Sequence, residues 1–362
     1  MNDRERFLNI MEYRPTDRCI YGVLTSAWPE TVKRWEKEGM STQQSISFKA
    51  DHWEWLGSWF FPNPPFERKI ISENERTITY INPEGILVRE RKDNPLSSMP
   101  QFIRFPVETK NDFYKFMKER MQPDLVSRIG KDYESKLKSY RSRDFPLMII
   151  ADRWGGFFGP LRNLVGLERL VWLFYNEPEF VEEMMDAIAD FIIAMMGKIL
   201  DYTDIDVFGF WEDMAYKNGP LLNPKLVRKY MLPRYNRVVK FLNSYGVRWI
   251  SLDSDGNINS LIPIWLEAGI NVLYPFEVQA GMDVIKVRKT YGRELRIWGG
   301  IDKRAIAAGP SAIDAELERV APLMKEGGYV PAPDHSLPPD VSFYNYCYYM
   351  EKLKALCEKA HP

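Results

Sequence analysis

Short apolar runs that end at an acidic residue recur through the second half of the chain. Each run spans four to seven residues rich in Val, Ile and aromatic side chains, which is typical of a buried strand. Helix-like stretches separate the runs, so the sequence predicts parallel strands whose carboxyl ends lie along one edge. The acids at the ends of the five runs are Glu212 with Asp213, Asp253, Glu277, Asp302 and Asp334.

Earlier apolar runs, among them 19–24 and 146–151, raise the number of candidate strands to about eight. No linker long enough to separate two domains interrupts them. The α/β pattern therefore predicts a (β/α)8 TIM barrel that forms a single domain over residues 1–362. The active site of such a barrel lies at the carboxyl ends of its strands.

The first third of the chain predicts an elaboration of this barrel. Residues 2–13 and 29–38 have the character of helices, and a tryptophan-rich stretch, 48–66, ends in prolines that disfavour regular structure. The alternating runs RTITYI and GILVRE predict a β-hairpin. We expect it within an insertion over about 66–105, near the barrel rim.

Composition argues against several classes of partner and site. The net charge of -1 and the pI of about 6.4 give no reason to expect nucleic acid or a membrane surface as partner. No apolar run reaches the ~18 residues needed to cross a bilayer. The amino-terminal residues lack the apolar core of a secretory signal, so a cytoplasmic location is expected. Three cysteines without CxxC spacing exclude a disulfide framework and a Cys₄ zinc site.

The segment Asp253-Ser254-Asp255-Gly256 is the sharpest local feature. Alternate residues of an extended segment face the same way, so the two carboxylates can share a cation while the glycine lets the chain turn. An Asx turn is the structural alternative. His335 follows another strand at the same edge, where it can be a metal ligand, a general acid or base, or a hydrogen-bonding anchor. The predicted metal ligands are Asp253, Asp255 and His335.

Further residues are candidates for catalysis or substrate binding. Only one of Glu212 and Asp213 is expected to face the pocket, since neighbouring strand residues point opposite ways. Asp302, followed by two basic residues, is expected to be ion-paired or to cap a helix. The predicted catalytic residues are Glu212, Asp213, Glu277 and His335. The predicted substrate-binding residues are Arg153, Arg162, His52 and Asp334. Because His52 lies among tryptophans, a structural role or a place in the pocket wall is the alternative for it.

So many carboxylates in one cavity repel each other. At ~4 Å and an effective dielectric constant near 20, one like-charge pair costs about 4 kcal/mol. The sequence therefore predicts a metal ion, a cationic substrate, or carboxyl groups with raised pKa values.

Five segments spread over nearly the whole chain resemble the uroporphyrinogen decarboxylase superfamily, which includes corrinoid-dependent methyltransferases. They are RERFLNIMEYRPTDR, GFFGPLRNLVGLERLVWLFYNEPEFVEEMMD, EDMAYKNGPLLNPKLVRKYMLP, DSDGNINSLIPIWLEAGINVLYPFE and PDHSLPPDVSFYNYCYYME. The resemblance implies a TIM barrel with its site at the strand ends, often in a homodimer.

Two departures from the family pattern bear on activity. GVLTSAWPE stands near the place of the decarboxylase's arginine-bearing segment, and an acidic rim suits a substrate with eight carboxylates poorly. The methyltransferases hold zinc through an HxC pair and a later cysteine; here Asp253-x-Asp255 occupies the first position and Asp334-His335 lies near the second. Oxygen and nitrogen ligands favour a harder metal, or zinc in an O/N site.

Three functional hypotheses follow from the resemblance and the acidic rim. The first is a methyltransferase or demethylase that acts on a small methylated substrate and uses a corrinoid on a partner protein. The second is a carboxy-lyase, which needs no metal. The third is a corrinoid- or metal-binding module without catalysis.

Overall fold

Seven short strands form one parallel sheet in a computed structural model that describes residues 1–22, 26–41, 48, 50–93 and 99–361. Hydrogen bonding in these residues gives the order β1-β6-β7-β10-β11-β12-β13. All six pairings are parallel, as the separating helices predict. The strands of this sheet are β1 Glu54–Leu56, β6 Leu147–Ile150, β7 Val207–Trp211, β10 Trp249–Asp253, β11 Val272–Tyr274, β12 Arg296–Trp298 and β13 Tyr329–Val330.

The curled sheet with helices on its outer face is the predicted TIM-barrel architecture. Strand interiors are apolar on both faces, because one face packs on helices and the other fills the barrel. The expected first strand, 19–24, has no strand over 19–22, and its remainder lies outside the described residues. The stretch 48–66, predicted to be irregular, instead contributes β1.

Inserted before β6 is a separate four-stranded antiparallel sheet in the order β2-β3-β4-β5. Its central pair is the predicted hairpin, joined at Asn82–Ile86, and one further strand pairs with each side. The insertion is thus larger than a hairpin. These strands are β2 Lys69–Glu73, β3 Thr77–Ile81, β4 Leu87–Arg91 and β5 Gln101–Arg104, and the small pair between β7 and β10 is β8 Ala215–Tyr216 with β9 Gly219–Pro220.

Helices connect the strands and cover the barrel. The first helix has a capping box, in which Asn2 and Glu5 satisfy each other's backbone N–H groups, and it ends before Pro15 as predicted. The longest helix, Pro178–Leu200, buries eleven side chains in the core. None of the helices in the described parts of the chain is long and apolar enough to cross a membrane. The helices are α1 Asp3–Met11, α2 Pro29–Lys37, α3 Lys110–Arg120, α4 Leu125–Arg128, α5 Tyr133–Ser139, α6 Phe158–Val165, α7 Leu167–Asn176, α8 Pro178–Leu200, α9 Pro224–Leu226, α10 Leu232–Ser244, α11 Ile262–Glu267, α12 Val284–Tyr291, α13 Lys303–Ala308, α14 Pro310–Glu326 and α15 Phe343–Lys359.

Candidate functional site

The carboxyl edge of the parallel sheet gathers the acids that the sequence predicted there. Trp211, Asp253 and Tyr274 are register partners at the ends of three adjacent strands, so they stand side by side. The loops that follow these strands carry the remaining groups of the site.

Asp255 and His335 form an ion pair at this edge. His335 Nε2 lies 3.3 Å from Asp255 Oδ2, and both side chains remain about one-third exposed. The Asp255 carboxylate raises the pKa of His335 to about 9, against the opposing effects of burial and the Lys303 charge. At neutral pH the imidazole is therefore protonated and able to donate a proton.

Lys303 lies behind this pair, between two carboxylates. Its Nζ is 3.8 Å from Glu277 Oε1 and 3.6 Å from Asp334 Oδ2. The ammonium is buried and has no hydrogen-bond partner among the described residues. One cation thus offsets the charge of two acids. The sequence gives no sign of this, because Glu277 and Asp334 are both distant from Lys303 along the chain.

Asp334 is fully buried and organises the loops around it. Its carboxylate accepts hydrogen bonds from the N–H groups of Lys303 at 3.0 Å and Val278 at 2.8 Å. Burial raises the pKa of Asp334, while the Lys303 charge and these two donors lower it. With no exposed surface in this structure, Asp334 positions the loops that donate to it, and the substrate-binding role predicted for it stays a prediction.

Glu277 also fixes the turn after the Asp253-x-Asp255 segment. Its Oε2 accepts a hydrogen bond from Gly256 N at 3.1 Å. Gly256 has φ +80°, and a Cβ there would lie 2.4 Å from the Ala215 carbonyl oxygen. Only glycine fits this position, which agrees with the turn predicted from the sequence.

Glu212 is buried away from solvent at the amino terminus of α6. Its carboxylate accepts hydrogen bonds from the N–H groups of Phe157 at 2.7 Å, Phe158 at 2.6 Å and Gly159 at 3.0 Å, and from the Tyr235 hydroxyl. Burial raises the pKa of Glu212, and these four donors oppose the rise. Glu212 has no exposed surface, and its hydrogen bonds tie β7 to the amino terminus of α6. The catalytic role predicted for it stays a prediction.

Asp213 is the accessible member of the neighbouring pair. Arg162 donates to its Oδ2 at 2.9 Å and to its carbonyl oxygen at 2.7 Å, which holds Asp213 at φ +44°. The Arg162 guanidinium also lies 5.4 Å from the Trp211 ring centre, and Arg153 lies 6.0 Å from it. Both predicted arginines are therefore at the edge, and Arg153 contacts Glu84 in the β3–β4 turn at 3.7 Å, which places the inserted sheet beside the site.

Two predicted candidates take no part in this arrangement. His52 precedes β1 and so lies at the opposite, amino-terminal edge, where its ring packs on Phe145 and the side chain is 58% exposed. The structure thus does not bring His52 together with the other predicted site residues, and its substrate-binding role stays a prediction. Asp302 caps α13 and pairs with Arg304 at 2.7 Å, as expected.

The donors present do not fit a metal centre. Within the part of the chain that the structure describes, no three His, Cys, Asp or Glu side chains are grouped to hold a metal ion. Asp255 and His335 face each other as an ion pair, and the cysteines are elsewhere, two of them buried at Cys19 and Cys357. We therefore derive no chemical step through a metal.

Comparisons with known proteins agree with the fold. The family described as uroporphyrinogen decarboxylase (URO-D) matches residues 155–356. A methyltransferase from Methanosarcina mazei is similar in structure, with a TM-score of 0.64 and 16% identity over 99% of each chain. A B12-independent methionine synthase from Shewanella sp. W3-18-1 aligns with a TM-score of 0.44 and 11% identity over 91% of this chain and 85% of its own. No curated protein matches the sequence significantly.

Proposed function

We propose that this chain, which belongs to the uroporphyrinogen decarboxylase family, transfers a methyl group from a small substrate bound at the carboxyl edge of its barrel. The pair that His335 Nε2 forms with Asp255 Oδ2 at 3.3 Å is the observation that carries the proposal, and this carboxylate raises the pKa of His335 to about 9. Removing a methyl group from nitrogen, oxygen or sulfur leaves an electron pair on that atom, and a nearby proton donor stabilises the product.

The step balances without an oxidant or reductant. The bond between the methyl carbon and the heteroatom breaks, and the methyl group moves to a nucleophilic acceptor without the bonding electrons. The heteroatom keeps the electron pair and takes the proton from His335 Nε2, and solvent later returns a proton to the imidazole. Asp255 holds the ring in place and stabilises its charge.

The methyl acceptor is supplied by another protein. A corrinoid on a partner protein would provide the nucleophilic atom, as the resemblance implies. The residues of this chain supply and position the proton. His335 donates it and Asp255 holds the imidazole in place, while Glu277, Lys303 and Asp334 fix the positions of the loops.

A carboxy-lyase is the second candidate, favoured by the description of the matching family. The carboxyl edge of the barrel counts against a carboxy-lyase. There Arg162 already forms an ion pair with Asp213, and acidic side chains outnumber basic ones. The match also begins at residue 155, so it does not include the part of the chain where a decarboxylase has its arginine-bearing segment.

The experiment follows methyl transfer from a panel of ¹³C-methylated amines, ethers and thioethers to free cob(I)alamin. Absorbance reports the methylated acceptor, and NMR identifies the demethylated product. We expect His335→Gln to slow transfer by about 10²-fold or more, as loss of a general acid does. His52→Gln is the matched control, because His52 lies at the opposite edge. Release of CO₂ from carboxylated substrates, with no methyl transfer from any donor, would instead favour the lyase.

A further inference from the structure

The loop that carries His335 is held by residues from the beginning of the chain. The Leu337 N–H donates to the Ser26 carbonyl at 2.9 Å, and the Leu337 carbonyl accepts from the Trp28 N–H at 3.0 Å. Between these two contacts, Ala27 pairs with Leu337 as a parallel β-bridge. Both polar backbone groups of Leu337 are therefore bound to one short segment, which lies near the opposite end of the sequence.

Thr31, in the first turn of α2, adds a side chain to this contact. Its hydroxyl donates to the Leu337 carbonyl at 2.8 Å, and the residue has no exposed surface. Further along α2, the Trp35 indole N–H donates to the Val341 carbonyl at 2.8 Å. Buried donors and acceptors are costly to leave unpaired, so these bonds hold the loop firmly against the helix.

The peptide unit between Ser336 and Leu337 links this contact to the imidazole. The peptide is trans and planar, so its N–H and C=O groups point in opposite directions. The N–H group is bound by the Ser26 carbonyl, and the C=O group lies 3.4 Å from His335 Nδ1. The Ser26 and Ser336 hydroxyl oxygens lie 2.9 Å apart and hold the same unit. The contacts on one side of the plane therefore fix the acceptor on its other side.

His335 is thus held at both ring nitrogens. Its Nε2 lies 3.3 Å from Asp255 Oδ2, while its Nδ1 faces the Ser336 carbonyl. The Asp255 carboxylate is the main cause of the raised pKa of His335, and the Ser336 carbonyl adds to it. Both nitrogens of a protonated imidazole are donors, so two acceptors define the orientation of the ring. On the barrel side, the N–H of the preceding residue, Asp334, donates to the Ile301 carbonyl at 2.8 Å.

We propose that Thr31 and Ser26 are positioning residues for His335. By holding Leu337 and Ser336, they fix the carbonyl that orients the imidazole. The inference rests on the proposed function, in which His335 donates the proton. Loss of the Thr31 hydroxyl leaves the Leu337 carbonyl with a single donor, so the peptide plane tilts and the acceptor for Nδ1 moves.

The test is ¹⁵N NMR of the full chain labelled at histidine, at pH 7, where the Nδ1 chemical shift reports the hydrogen bond of that atom. Thr31→Val removes the hydroxyl and nearly keeps the side-chain shape, and we expect it to displace the His335 Nδ1 signal. Thr31→Ser restores the hydroxyl and should return the signal close to its wild-type position. Thr290→Val is the matched control, because that hydroxyl donates to the Lys286 carbonyl of its own helix. The His52 signals should stay in place throughout.

Activity shows whether this position matters for the reaction. The assay is methyl transfer to free cob(I)alamin from the panel of ¹³C-methylated amines, ethers and thioethers. Thr31→Val is expected to lower kcat about tenfold or more, since a small misplacement of a reacting group is costly. KM should change little, because the lost contact is made to the loop and not to the substrate. Thr31→Ser should recover most of kcat.

An unchanged Nδ1 signal in folded Thr31→Val, or a displaced signal with wild-type kcat, would each overturn the inference. Circular dichroism and urea unfolding establish that each variant is folded. If Thr31→Val does not fold, Ser26→Ala takes its place, because Ser26 is exposed. This variant should displace the same signal, and an unchanged signal would again overturn the inference.

The two proposals fail separately. A displaced signal in Thr31→Val, with no methyl transfer from any donor even in the wild type, would keep this inference and count against the proposed function. Methyl transfer in the wild type, with the same Nδ1 signal and the same kcat in Thr31→Val, would do the reverse.

Discussion

The Asp255–His335 pair makes a measurable prediction about proton affinity and stability. Replacing Asp255 with Asn removes the main cause of the raised His335 pKa, while burial and the Lys303 charge, which lower it, remain. We therefore expect the His335 pKa to fall from about 9 to about 6.5 or lower.

The free energy follows from the same shift. A rise from 6.5 to about 9 corresponds to about 3.4 kcal/mol at 1.36 kcal/mol per pH unit. The His335 side chain is 29% exposed, so solvent screening reduces the contribution to about 2 kcal/mol. Because the folded-state pKa lies above the unfolded value, this stabilisation is complete below about pH 6.5 and is lost as the pH rises through about 9.

Two measurements check these expectations. The chain has only three histidines, so the imidazole C–H signals are few, and His335→Gln identifies the one of interest by NMR titration. Urea unfolding between pH 6 and 9.5 is expected to show a stability loss of about 2 kcal/mol in the wild type that Asp255→Asn lacks. Asp253→Asn is the matched control and should change the His335 pKa far less. A His335 pKa below 7 in the wild type, or one unchanged in Asp255→Asn, would refute the reasoning.

Three other changes test the remaining contacts. Glu212→Gln places an amide donor among four donors and is expected to destabilise the fold by about 2–4 kcal/mol in urea unfolding. Asp213→Asn changes a partly exposed ion pair and is expected to cost about 1 kcal/mol or less. Equal costs for the two variants would contradict the burial argument. Lys303→Met leaves Glu277 and Asp334 without their shared cation and should cost about 3–5 kcal/mol at pH 7. The cost should be smaller at pH 5, because burial raises the pKa of Asp334 and this acid then binds a proton more readily; a pH-independent cost would count against that pairing. Elemental mass spectrometry of the purified protein is expected to find less than stoichiometric zinc, manganese or iron, and a stoichiometric metal lost in Asp255→Ala would restore the metal-centre hypothesis.

Strand positions could be predicted from the sequence because they depend on local pattern. The runs that end at Asp253 and Glu277 are apolar enough to identify as strands without knowing their neighbours. Strand β1 was missed because it is only three residues long and lies in a tryptophan-rich stretch without alternation. His52 lies just before this strand, so the edge of the barrel that it occupies depends on knowing where the strand begins.

The electrostatic roles could not be predicted, because they depend on contacts distant in sequence. Alternation indicated that one of Glu212 and Asp213 faces inward, but choosing between them requires the position of the α6 amino terminus. Lys303 pairs with acids from two other loops, and nothing in its own neighbourhood indicates that its Nζ is buried.

Lys303 explains how this edge tolerates so many acids. Glu277 and Asp334 lie on either side of one ammonium, and Asp255 is balanced by a protonated His335, so most like-charge pairs are separated by a cation. Without these two cations, each close pair of carboxylates would cost about 4 kcal/mol at ~4 Å and an effective dielectric constant near 20. Both cations are held by loops that follow different strands, so the site assembles only when the barrel closes in register.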